Sequence, residues 1–222
     1  MKRFVLLILF VLFLNGCTVE QKTENNIIMD STDLPAPLDM DQSVYFSMAS
    51  LEGTSAMSIS RIMYEQPEIS KNVEFEYLVY MDEFIFDDAL SNEAFDFLCV
   101  PFEKGVDILL HTKGYVLYAI MENQSEDQPP IALALLVKQA TLNIYPEVVA
   151  TFFSTYYKSS VWANDHLDRL TFYLEQLEIE SEIVALTYKR AWVSEAIIIS
   201  ALELSGKTEE EINNVVKSIF KP

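Results

Sequence analysis

The chain has 222 residues, 50% of them apolar, with 14 Phe and 11 Tyr, and its 34 acidic against 15 basic side chains give a net charge of −19. That apolar content supplies a core and excludes a disordered acidic chain. The charge excludes nucleic acid as a partner and makes anionic lipid a poor surface for the folded body.

The first segment is a leader in form. Lys2 and Arg3 precede an unbroken apolar run over residues 4–14, too short to cross a bilayer comfortably, and the run ends at Asn15, Gly16 and Cys17. Residues 1–16 are read as a signal peptide. Leu14-Asn15-Gly16-Cys17 resembles the lipobox of bacterial lipoproteins. That resemblance implies that Cys17 takes a diacylglycerol, becomes the mature N-terminus and provides the membrane contact through its acyl chains. Residues 17–41, rich in Asn, Asp, Gln and Pro, show no sustained periodicity and are expected to be a flexible tether. Residues 42–222 form the expected folded domain.

Within that domain the apolar pattern predicts strands at 44–49, 73–80, 95–100, 115–121 and 131–137. Helices are predicted at 56–64, after a turn in which Thr54 and Ser55 are candidate N-caps, at 83–90 with Asp82 as cap, and at 102–112. A polar break over 122–130 separates the fourth strand from the fifth. The remainder reads as helical: a helix led by Pro146, with Val149, Phe152, Phe153 and Tyr156 as its core-facing stripe, then 165–177, 181–204 and 208–220. Thr208 and Glu211 stand in capping-box positions, and Gly206 separates the last two helices. Strands alternating with helices predict an α/β fold, a mostly parallel sheet flanked by helices with a helical C-terminal region.

Catalytic chemistry is hard to assemble from these residues. The two histidines, His111 and His166, lie in different predicted helices without metal-ligand spacing. Five glycines in the whole chain leave no phosphate-cradling loop, and no Ser or Cys sits in a nucleophile-elbow pattern. Cys99, in an apolar strand, is expected to be a buried thiol. We therefore expect no enzyme, metal or cofactor. The strand-end turns are more informative, because ligands of open α/β sheets settle at the carboxyl ends of parallel strands, where helix N-termini expose N–H groups. Gly53, Thr54 and Ser55 follow the first strand, Tyr80 and Asp82 the second, and Pro101 and Phe102 the third. All seven are candidate ligand-binding residues on one rim.

The order of several short motifs resembles the substrate-binding proteins of ABC importers, in the group that includes nitrate, sulfonate and thiamine-precursor receptors. The stretch 43–57, with Leu51-Glu52-Gly53-Thr54, looks like that family's opening strand and turn. Tyr80-Met81-Asp82-Glu83-Phe84 is similar to its second strand-end turn, and Phe95-Asp96-Phe97-Leu98-Cys99-Val100-Pro101 to its third strand. Residues 135–149 and 156–164 resemble its returning strand and the helix that follows. The resemblance implies a periplasmic-binding-protein-like fold, a small-molecule solute and an ABC permease as partner, with the protein on the extracytoplasmic side of the membrane.

Family members clamp the solute between two lobes, whereas here the fourth strand is followed after a short polar link by the returning strand. The expectation is a single lobe with most of the second lobe missing. Two functions compete. One is a tethered solute receptor, in which Glu52 and the overall acidity disfavour anions and favour a neutral, amine-bearing or aromatic solute. The other is a non-transporting surface or accessory lipoprotein that keeps the fold but not the clamp. Pyrimidine-precursor synthases share the superfamily, but the sequence lacks histidine-rich or lysine-centred chemistry.

Overall fold

The computed structural model describes residues 39–92, 95–112, 114–123, 131–190, 198–199, 202–203 and 206–220, all within one compact unit that begins at Leu34. The expected leader, Cys17 and the tether as far as residue 38 lie outside the described residues. The first strand starts at Asp39, so the last three positions of the expected tether are already strand.

Six strands form one sheet: β1 (Asp39–Leu51), β2 (Lys71–Tyr80), β3 (Phe97–Pro101), β4 (Tyr115–Asn123), β5 (Ile131–Lys138) and β6 (Leu186–Arg190), in the order β2-β1-β3-β5-β4-β6. β1 pairs in parallel with both β2 and β3. β5 lies antiparallel between β3 and β4, and β6 runs antiparallel to β4. The sheet is therefore mixed. β1 to β4 share one direction, as an α/β fold requires, and the two later strands oppose them. The cause is local: residues 124–130 connect β4 to β5, too few for a parallel crossover but enough for a hairpin-like return.

Side chains alternate across this sheet into two cores. Phe46, Met48, Phe97, Cys99, Met121, Leu133 and Leu135 face one layer, formed by α1 (Thr54–Glu65), α5 (Pro146–Asp165) and α6 (Leu167–Gln176). Ala49, Leu98, Val100, Ile120, Ala134 and Leu136 face the other, formed by α2 (Glu83–Ser91), α3 (Phe102–His111) and α7 (Glu209–Phe220). The stripe expected on α5 is fully buried: Val149, Phe152 and Tyr156 are 0% exposed, with Phe152 stacked on Phe75 at 4.8 Å between ring centroids. Gly105 lets α3 lie on the sheet, since a Cβ there would collide with the Cβ of Ala134 on β5.

Two predicted elements differ. Residues 181–204 were expected as one helix, but 186–190 are strand β6, because the outer edge of β4 offers Ala119 to Asn123 as pairing partners. A short helix, α4 (Gln139–Ile144), stands where none was expected. Asp96 fixes it: one carboxylate oxygen accepts from Thr141 Oγ1 at 2.6 Å and the other from the Ser47 N–H at 3.0 Å. The capping box forms as expected, with the Thr208 N–H donating to Glu211 Oε2 at 2.8 Å and the Glu211 N–H to Thr208 Oγ1 at 3.4 Å.

Candidate functional site

Because β1, β2 and β3 run in parallel and in close register, their carboxyl ends share one rim. Leu51 is the register partner of Tyr80, Ser50 that of Cys99, and the Glu52 N–H donates to the Tyr80 carbonyl at 2.9 Å. The chain leaves each strand there and enters α1, α2 or α3. The seven sequence-predicted residues are thus brought to one edge of the lobe.

The α1 entry is the most specialised of the three. Gly53 occupies its N-cap with φ 86° and ψ −143°, a region open essentially to glycine alone, and no side chain caps the helix. Thr54 and Ser55 were expected as caps, and neither is. They form the first turn instead, since glycine has taken the cap geometry. The N–H groups of a first turn have no partner inside a helix. The Ser55 side chain points inward: its hydroxyl is buried and, like that of Ser50 at the end of β1, has no hydrogen-bond partner among the described residues. Two buried hydroxyls beside a half-buried helix terminus leave capacity for a ligand or an ordered water.

Behind that turn lies a hydroxyl and thiol cluster that the sequence did not disclose. Tyr156 donates to Ser58 Oγ at 2.8 Å, Ser58 Oγ lies 3.2 Å from Cys99 Sγ, and the thiol is 3.6 Å from the Ser55 carbonyl oxygen. Burial pushes the Cys99 thiol up from 9.0 to about 11, although hydrogen bonds with Ser58 and Tyr156 pull the other way. Burial likewise holds the Tyr156 phenol well above its ordinary value. The cluster is neutral and supports the turn from beneath; Cys99 is buried, as expected.

At the second turn Asp82 caps α2, accepting from the N–H groups of Phe84 at 2.8 Å and Ile85 at 3.1 Å through one oxygen. Its second oxygen is left for other contacts. The half-buried ring of Tyr80 packs against Phe86 and Phe95, at 5.6 and 5.7 Å between centroids. At the third turn Pro101 is exposed, whereas the Phe102 side chain is in the core, so Phe102 presents its backbone rather than its ring. Glu52 sits among these residues and accepts from the Glu180 N–H at 3.2 Å.

An open groove lies elsewhere. About 900 Å³ in volume, it is lined by Tyr45, Ser47, Glu74, Tyr77 and Asp96, among others, toward the amino ends of the strands. Most of its side chains are those of an edge strand and its neighbour. It offers no helix N-terminus, because α1 points its C-terminal end there through Met63 and Gln66. The rim and the groove are therefore distinct, and the first-turn N–H groups of α1 belong to the rim. Among the described residues no group of three or more His, Cys, Asp or Glu is placed to hold a metal ion.

The sequence matches no family model and no curated protein. Solved structures share its fold. One described as an ABC transporter from Parabacteroides distasonis is 10% identical with a TM-score of 0.60, covering 77% of this chain and 95% of that one. A conserved Candida albicans gene product, said to define a family with the generic periplasmic binding protein fold, is 9% identical with a TM-score of 0.54, covering 79% of this chain and 95% of that one. The described residues are a single α/β lobe of this periplasmic-binding-protein-like fold.

Proposed function

We propose that the chain is the solute-binding component of an ABC importer, held on the extracytoplasmic face of a membrane by lipid on Cys17. It takes a small neutral, amine-bearing or aromatic solute on the rim formed by Gly53, Thr54, Ser55, Tyr80, Asp82, Pro101 and Phe102. Backbone N–H groups of the first turns of α1 and α3 would orient polar atoms of the solute, and Glu52 and the free oxygen of Asp82 would favour an amine over an anion. The observation that carries this reading is the Gly53-led start of α1 with the orphaned Ser55 hydroxyl in its first turn. The transport role and the permease partner come from the likeness in fold to an ABC transporter protein. No catalytic step is assigned.

The test is a saturable thermal shift of the chain with a panel of amines, amino acids, pyrimidines and sulfonates. A shift with amines or pyrimidines that is lost in Gly53→Val supports the reading, and an unmoved melting temperature across the panel removes it. Acyl labelling that disappears in Cys17→Ser checks the anchor. The second reading, an accessory surface lipoprotein acting through protein contacts, is favoured by one observation: apolar side chains stand exposed on the same rim, at Met81, Phe84 and Ile85.

A further inference from the structure

The two most exposed large apolar side chains among the described residues, Phe84 at 82% and Met81 at 78%, stand together at the rim, with Ile85 beside them at 57%. Scattered apolar residues on a surface need no explanation, but a contiguous set on a rigid support does. The support here is rigid. Asp82 holds the first turn of α2 through the N–H groups of Phe84 and Ile85, and the next residue, Phe86, is buried with its ring stacked on Phe95. The patch is thus a fixed apolar platform and not a frayed end.

Its surroundings are acidic. Glu52, Asp82, Glu83, Asp87, Asp88 and Glu103 belong to the three rim turns and the helices they open. The two Lys or Arg side chains in those segments are already paired, Lys104 with Glu83 at 2.8 Å and Asp87 at 2.6 Å, and Arg61 with Glu65 at 3.0 Å. We propose that this rim is a docking surface for a protein partner that presents a cationic amphipathic segment, apolar side chains seated on Met81, Phe84 and Ile85 and lysines or arginines meeting the surrounding carboxylates. A second copy of the chain would set one acidic rim against another, and an anionic bilayer would be repelled in the same way. The docking rests on the single-lobe architecture and does not require that a solute be bound.

The probe is a fluorescein-labelled 18-residue helical peptide with leucines on one face and lysines on the other, titrated with the full chain and read by anisotropy. A glutamate-for-lysine counterpart serves as the control. Binding of the lysine peptide, absent for the glutamate one, weakened about tenfold or more in M81S/F84S and severalfold in Asp88→Lys, supports the proposal. The pair Tyr64→Ser and Phe172→Ser, exposed aromatics away from the rim, should change it less than about twofold. Equal affinity for the wild type and M81S/F84S would mean attraction by net charge alone and overturns it. So does a dimer in sedimentation, or binding to phosphatidylcholine vesicles, that M81S/F84S abolishes. A solute-induced thermal shift that survives in M81S/F84S separates failure of docking from failure of the solute site.

Discussion

Gly53→Ala isolates the backbone demand of the α1 entry. At φ 86° and ψ −143° an L side chain is strained, yet a Cβ built there meets nothing within 4 Å, so the whole cost is conformational and none of it is steric. Holding a non-glycine residue in such a region costs about 1–3 kcal/mol. For a domain of this size that lowers the melting temperature by roughly 3–10 °C. Asn, which rescues left-handed helical positions, should not help, because ψ here lies far from the +50° of that region. Calorimetry and urea melts of the Ala, Asn and Val variants would show all three destabilised to a similar degree, with an unchanged m-value. A wild-type melting temperature for Gly53→Ala would mean that the turn relaxes into an ordinary geometry, and the account of why glycine stands at the rim would fall.

Gly105→Ala should cost about 1–3 kcal/mol by overpacking against Ala134, and Ala134→Gly in the same chain should recover much of the loss in a double-mutant cycle of urea melts. Asp82→Ala removes two capping hydrogen bonds and should cost about 1 kcal/mol, with Asp82→Asn losing less, measured by equilibrium unfolding. Cys99 gives a pH dependence. Its folded pKa is raised above 9.0 to about 11, so its contribution is intact below pH 9 and is lost as pH rises toward 11, by at most about 2–3 kcal/mol. Cys99→Ala should flatten the stability profile in that window. In a Cys17→Ser chain, in which Cys99 is the one thiol left, labelling by a thiol reagent at pH 8 should follow unfolding and be negligible in the native state.

What the sequence disclosed depended on the range of the physics involved. The Asp82 cap and the Thr208–Glu211 box involve residues two or three apart, and both were legible. Strand positions were legible wherever one face is buried, as in β2, where Val73, Phe75 and Tyr77 alternate with exposed Glu74 and Glu76. β6 was not legible, because Leu186 to Arg190 becomes strand through the free edge of β4, a partner more than sixty residues earlier in the chain. The direction of β5 was available in principle, since a link over residues 124–130 is too short for a parallel crossover, yet alternation alone carries no direction. Tyr156 was placed in the core correctly. That its hydroxyl reaches Ser58, across |i−j| of 98, has no signature in either segment. Among the rim residues, hydroxyl chemistry at Thr54 and Ser55 suggested caps, and only the backbone angles of Gly53 revealed that the cap was already taken.

The sheet order also bears on how tightly the rim binds a partner. β4 runs with β1 to β3, so the chain leaves Asn123 and returns at Ile131 on the same edge as the Gly53, Asp82 and Pro101 turns, where Glu122 is in register with Ile131 and Pro101 with Leu133. The described lobe carries the Gly53, Asp82 and Pro101 turns and the exposed Met81, Phe84 and Ile85 side chains on that one edge. Completing the burial of Met81, Phe84 and Ile85 is worth on the order of 3–6 kcal/mol. Association of two proteins costs an estimated 4–15 kcal/mol in lost freedom. Over most of those ranges the apolar platform alone falls short of holding a partner, and the acidic rim must supply the difference. A complex held that way dissociates at micromolar or higher concentration, forms quickly, and weakens steeply with salt. Anisotropy titrations at 50 and 300 mM salt should differ by an order of magnitude or more in Kd; a nanomolar, salt-independent complex would require buried contacts that this rim does not offer.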